Sequence, residues 1–257
     1  MEVYISEPHT ITSNEIAVFG DITGDIHPLH RDKEWANRHG VPELPIMGAH
    51  LTAKALAEIR KRDSKDISSL EVKFSKLVYN DVPFFLEFDN EENIRARDKS
   101  FGLTVKFTKE ELPPTKSIES IAGPIRAPLI INSEGVQKYN EIFNTNQNKN
   151  IDLGLVAAYM PAALVRTLVH THGVNTRVFN RSMEVYFFNS LKQGDAEMQL
   201  WMTEERKSRF YELRGILSQA GKTCASTTIR VLAENPLNID SLKECREIPP
   251  YVASPAH

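Results

Sequence analysis

Asp25 and His30 are the residues of this chain whose types and spacing best suit chemistry. A carboxylate and an imidazole held in one short loop are able to grip a water molecule and move its proton near neutral pH. The loop reads Thr23-Gly24-Asp25-Ile26-His27-Pro28-Leu29-His30-Arg31-Asp32. Gly24 permits a backbone angle closed to other residues and Pro28 fixes another, so a pinned loop is favoured over a helix running through. A second stretch, Pro45-Ile46-Met47-Gly48-Ala49-His50-Leu51-Thr52-Ala53, opens a long apolar-faced pattern. The first turn of a helix there would offer unpaired backbone amides to an oxygen gaining negative charge.

The flanking elements must hold these groups in place. Val3-Tyr4-Ile5 is a short strand pattern, and Thr12 with Glu15 forms a capping box that opens a helix carrying Ile16, Phe19 and Ile22 on one face. That helix delivers the Asp25 loop. A short helix is expected over 32–38, then a break through Gly40 and Pro42, then a buried central helix over 47–60 with Leu51, Ala55 and Ile59 on its core face. Alternating strand patterns follow at Leu70-Val72-Phe74, at 82–88, at Ile94-Ala96 and at Leu103-Val105-Phe107.

The plan then repeats. Leu129-Ile130-Ile131 is a strand pattern, Val136, Tyr139 and Phe143 mark a helix face, and a second long helix over about 154–170 precedes strand patterns at 183–190, 196–203, 209–218 and 223–232. Leu51 and Leu164, Glu71 and Glu184, Val72 and Val185, and Phe74 and Phe187 all pair at one offset, 71 to 184. The expected organisation is a first unit over 1–108, a linker over 109–128, a second unit over 129–235 and a C-terminal tail over 236–257. The second unit has no Asp-loop-His string. Its corresponding stretch reads Phe143-Asn144-Thr145-Asn146-Gln147-Asn148-Lys149-Asn150, so only the first unit is equipped for the chemistry. His170 and His172 are read as helix-terminus residues.

A chain of 257 residues with 41% hydrophobic and 25% charged residues has enough apolar material for a core without metal or disulfides. A formal net charge of −3 gives no basic excess for a nucleic-acid or membrane-surface partner. Cys224 and Cys245 form neither a metal nor a redox motif, which fits a reduced, cytoplasmic protein. No basic flank precedes an apolar core near residue 1, and a secretion or membrane signal is not expected.

The two quoted stretches together resemble the MaoC-like, or (R)-specific, enoyl-CoA hydratases. Their pattern is roughly S/T-G-D-x-N-P-x-H-x-D followed by P-I-x-H-G-M-L. Thr23, Gly24, Asp25, Pro28, His30 and Asp32 match, as do Pro45, Ile46 and Leu51. His27 stands where the family most often has Asn. Aligned without gaps, Gly48-Ala49 replaces the family's His-Gly pair; with a one-residue gap, Gly48 falls on the family glycine. The resemblance implies an α+β fold, the hot dog, in which an antiparallel sheet wraps a long helix. With the repeat, it implies a double hot dog that makes a pseudo-dimer within one chain. It also implies a substrate, an acyl-CoA or acyl-carrier-protein thioester, with Asp25 and His30 as catalytic residues and Gly48 or Ala49 supplying the amide for the thioester oxygen. His27 and Pro28 are expected beside the substrate. The implied chemistry uses no metal and no cofactor. Two other readings of the same fold stay open, a non-catalytic acyl-thioester-binding protein and a thioesterase. Further association into a homodimer is also open.

Overall fold

The computed structural model of the chain describes residues 4–62, 67–89, 93–97, 101–108, 120, 122–145, 150–206 and 209–253. In chain order the elements are β1 (Tyr4–Ile5), α1 (Ser13–Thr23), α2 (Lys33–Arg38), α3 (Gly48–Arg62), β2 (Ser69–Phe74), β3 (Phe85–Asp89), β4 (Asn93–Arg97) and β5 (Phe101–Thr108). They continue with β6 (Ala122–Ile131), α4 (Ser133–Phe143), α5 (Leu153–His172), β7 (Val178–Phe187), β8 (Gly194–Arg206), β9 (Phe210–Gln219), β10 (Lys222–Ala233), α6 (Ile239–Glu244) and β11 (Tyr251–Ala253).

Local chemistry explains the helix starts. Thr12 Oγ1 accepts from the Glu15 amide, and Glu15 Oε2 accepts from the Thr12 amide at 2.8 Å, so both halves of the capping box on α1 are present. Asp32 caps α2 by accepting from the Trp35 amide at 2.8 Å, and Asn132 caps α4 in the same way through Gly135. The central helix α3 buries Leu51, Ala53, Ala55, Leu56 and Ile59. Its partner α5 is apolar over twenty residues, long enough by length and composition to cross a membrane, yet it is mostly buried inside the protein. Both are core helices, and the alanines along them let the sheet and the two helices approach closely.

Among the described residues the strands form one sheet in the order β1-β3-β4-β5-β2-β7-β10-β9-β8-β6-β11. The two sheets expected from the repeat therefore join edge to edge, through antiparallel pairing of β2 with β7 from Ser69–Tyr186 to Lys73–Ser182. At the middle of that seam Glu71 faces Glu184. These are the residues equated by the internal repeat. In a two-fold arrangement the residue on the axis meets its own equivalent, so a pseudo-two-fold axis passes through the seam at this pair. Lys73 lies 2.9 Å from Glu71 and Arg230 lies 2.6 Å from Glu184, which offsets the like charges.

The link between the halves is shorter than 109–128. Residues 109–119 and 121 lie outside the described residues, but β6 already begins at Ala122, seven residues before the expected strand start. Pro124 and Pro128 read as breakers, and the register shows why they are tolerated. The Arg126 amide points outward to Arg246 O, away from β8; Pro128 shares its parity, and Pro124 falls in the register shift between Ala122 and Ile125. The missing N–H of Pro128 therefore faces the thinly covered outer side of β6 and costs no bond to β8. The segment expected as a tail is also structured. It carries α6 and then β11, which runs parallel to β6 from Tyr251–Leu129 to Ala253–Ile131.

Candidate active site

The Asp25 loop begins where α1 is made to stop. Gly24 takes the left-handed conformation with φ +88° and donates its amide to Gly20 O at 2.7 Å. Beyond it, Pro28–His30 forms a single 3-10 turn capped by His27, whose Nδ1 accepts from the Leu29 amide at 3.1 Å. Because Nδ1 accepts, the proton of neutral His27 sits on Nε2, which donates to Thr176 O at 3.3 Å. Burial holds its pKa below the ordinary histidine value. Its ring also meets Trp35 edge-on at 5.1 Å. His27 thus ties the loop to the second half of the chain. Neither His27 nor Pro28 lines the cavity described next; both shape the loop that presents Asp25 and His30 to it.

That cavity, of about 210 Å³, is lined by Asp25, His30, Gly48 and Ala49 on one side and by Pro161, Val165 and Phe179 of the second half on the other. Asp25 is 7% exposed, and its Oδ1 has no hydrogen-bond partner among the described residues. His30 Nδ1 lies 2.7 Å from the carbonyl of Pro45. A carbonyl only accepts, so Nδ1 carries the proton and Nε2 of the neutral ring keeps a lone pair for a ligand. Pro45 is itself anchored by a bridge to Tyr79, and the chain turns into α3 three residues later.

The amides of His50 and Leu51 both donate to Met47 O, which makes Met47 the entry to the helix. Gly48 and Ala49 precede those bonds, so their amides belong to the unpaired first turn at the positive end of the α3 dipole. Gly48 is required by packing. A Cβ there would stand 2.6 Å from Cε1 of Phe74, which lies across the helix entry as part of the cavity wall.

The second half treats the corresponding region differently. α4 ends on Asn144 in the left-handed conformation, as α1 ends on Gly24. Asp152 then caps the start of α5. It is 2% exposed, accepts from Tyr139 Oη at 2.8 Å and from the Gly154 amide at 2.7 Å, and forms an ion pair with Arg60 of α3. Burial and the Asp152 carboxylate push the Tyr139 phenol well above its ordinary pKa. His172 is a helix-end residue whose Nε2 accepts from the Asn238 amide at 2.8 Å.

The cavity mouth repeats this asymmetry. It carries two exposed cations, Lys76 just past β2 and Arg181 on β7. The repeat offset places Asn189 opposite Lys76 and Ser68 opposite Arg181. At these two equated positions the cations stand on the side of the cavity that has Asp25 and His30. Among the described residues no cluster of three or more His, Cys, Asp or Glu side chains is placed to hold a metal ion.

The family match falls on the same half, and the structural matches span both. The family model described as MaoC like domain matches residues 1–111. Among solved structures, the chain is similar to a protein described as a MaoC domain dehydratase from Chloroflexus aurantiacus J-10-fl, with TM-score 0.70 and 8% identity over 92% of this chain and 95% of that one. It is similar to a MaoC-like dehydratase with TM-score 0.66 and 9% identity, over 90% and 97% of the two chains. A protein described as an oleoyl thioesterase from Lactobacillus plantarum also aligns, with TM-score 0.55 and 10% identity over 92% and 98%. No curated protein matches the chain in sequence. At such identities the solved structures speak for the fold alone, and that fold is the hot dog. The match to the MaoC like domain model thus covers the half that holds the Asp25 loop and the start of α3, within a chain that folds as a double hot dog.

Proposed function

We propose that this protein adds water to 2-enoyl thioesters, or in reverse dehydrates 3-hydroxyacyl thioesters, with Asp25 and His30 activating the water. One observation carries the reading. An unengaged buried carboxylate oxygen, an imidazole whose Nδ1 is committed to Pro45, and the two amides that open α3 converge on a single cavity. A water between Asp25 and His30 Nε2 gives its proton to Nε2 as its oxygen bonds to C3. The C2–C3 π pair moves toward the thioester carbonyl, whose oxygen takes up negative charge against the Gly48 and Ala49 amides. The proton is then delivered to C2, closing the balance, and Asp25 orients the water by accepting its second hydrogen. The acyl group lies against Pro161, Val165 and Phe179, and the cations at Lys76 and Arg181 suit the phosphates of a coenzyme A or carrier-protein arm.

The test is turnover of crotonyl-CoA with product identification. Hydration by the wild type is expected, with Asp25→Asn and His30→Ala each lowering kcat by about a hundred- to ten-thousandfold while KM changes far less. The double variant should lose no more than the worse single, since one water serves both groups. Replacing Lys76 and Arg181 with alanine should raise KM and spare kcat. Release of free thiol without hydration would assign a thioesterase, and binding without turnover a thioester-binding protein.

A further inference from the structure

The last strand of the chain reaches back to the first helix. The hydroxyl of Tyr251, on β11, donates to the backbone carbonyl of Asp21, 230 positions away in sequence. In a continuing α-helix that carbonyl would accept from the amide of residue 25. Here the Asp25 amide goes to Thr23 Oγ1 instead, at 3.4 Å, while Thr23 Oγ1 donates to Phe19 O at 2.9 Å. The left-handed turn at Gly24 carries the chain off α1 before residue 25, and Tyr251 satisfies the Asp21 carbonyl that this turn leaves open. The ring is fixed as well as the hydroxyl. Arg166 of α5 places its guanidinium 4.9 Å from the ring centroid. A Cβ on Gly24 would stand 3.1 Å from Arg166 Cδ and 3.2 Å from Tyr251 Cδ1, so the two side chains fill the space beside the loop's first residue. Burial, then the nearby Asp21, push the phenol up to about 12, so it stays a donor across any ordinary working pH.

We propose that Tyr251 is a positioning residue: by bonding the Asp21 carbonyl and packing beside Gly24 it holds the turn that ends α1, and so keeps Asp25 aimed into the cavity. The proposal rests on the reading of Asp25 as the water-binding carboxylate. β11 then acts as a strap that brings the end of the second half to bear on the site of the first. Tyr251→Phe removes the hydroxyl and leaves the ring, so the Asp21 carbonyl loses this partner and the Gly24 turn loses its tether.

The variant should lower kcat about ten- to a hundredfold, the scale expected for a misplaced catalytic group. KM should change far less, and the melting temperature should stay near that of the wild type. Made in an Asp25→Asn background, Tyr251→Phe should cost nothing further, because no catalytic carboxylate remains to be misplaced. Amide hydrogen exchange over 24–30 should quicken in Tyr251→Phe at unchanged global stability, and this reads the strap without any turnover. Faster exchange in a protein whose wild type hydrates no enoyl thioester would uphold the strap and end the hydratase reading. Wild-type kcat with wild-type exchange would overturn the proposal, as would an undiminished loss in the Asp25→Asn background.

Discussion

His50 shows how much a single side chain in this protein is governed by its surroundings. It sits on α3 two residues after Gly48, wholly buried, stacked on Phe19 at 4.4 Å and edge-on to Phe143 at 5.3 Å. Neither ring nitrogen has a partner among the described residues, and burial, with Lys54 nearby, lowers its pKa to about 3. Such a group is neutral when folded and takes up a proton more readily when unfolded. Its contribution to stability is therefore whole above the unfolded value of 6.5 and drains away as pH falls toward 3, at up to about 1.4 kcal/mol per pH unit. His9 and His27 are shifted in the same sense and add to the slope. His50→Phe should flatten this acid limb, which urea titrations repeated from pH 7 to pH 4 would show; an unchanged slope would mean that His50 is reached by water. In sequence, His50 sits beside the residues of the motif and its isolation from water is invisible. Asp25 and His30 were legible because their spacing and the glycine and proline between and around them are local. The part played by His27 was not, since its acceptor, Thr176, lies in the other half of the chain.

At the scale of elements, the helices and most strands follow from patterns within a few residues. The Thr12–Glu15 box and the Leu51-Ala55-Ile59 face are examples, and both stand in the structure where the spacing put them. The first part of β6 and the whole of β11 escaped because their logic is tertiary: a proline such as Pro128 is harmless only with its nitrogen on the outer side of a near-edge strand, and β11 exists only as an addition to β6. The start of α5 is likewise a tertiary device. Asp152 satisfies Tyr139 Oη and the Gly154 amide and faces Arg60, joining the two central helices at a buried point. Asp152→Ala removes one member of a buried charged network and should cost roughly 3–5 kcal/mol. Asp152→Asn keeps an acceptor for Tyr139 and Gly154 and should cost less. Urea unfolding midpoints order the three proteins, and an Asp152→Ala protein as stable as the wild type would show that the network is dispensable.

Across the whole molecule, the seam between β2 and β7 decides what the two halves can do. The repeat at one offset was visible in the sequence, and the axis it implies falls at Glu71 and Glu184 in the sheet. What the sequence left hidden was that the halves share one continuous sheet and one cavity, with Pro161 and Val165 of the second closing the site of the first. A pair of identical subunits must carry every change twice, so it keeps or loses both of its sites together. Here each half varies alone: one end of the seam has Asp25, His30, Lys76 and Arg181, while Asn189 and Ser68 stand at the other. The consequence is a stoichiometry. Calorimetric titration with a non-reactive acyl-CoA should saturate at one ligand per chain, with a simple hyperbolic isotherm and no interaction between sites; two equivalents bound would mean that the second half has kept a pocket of its own.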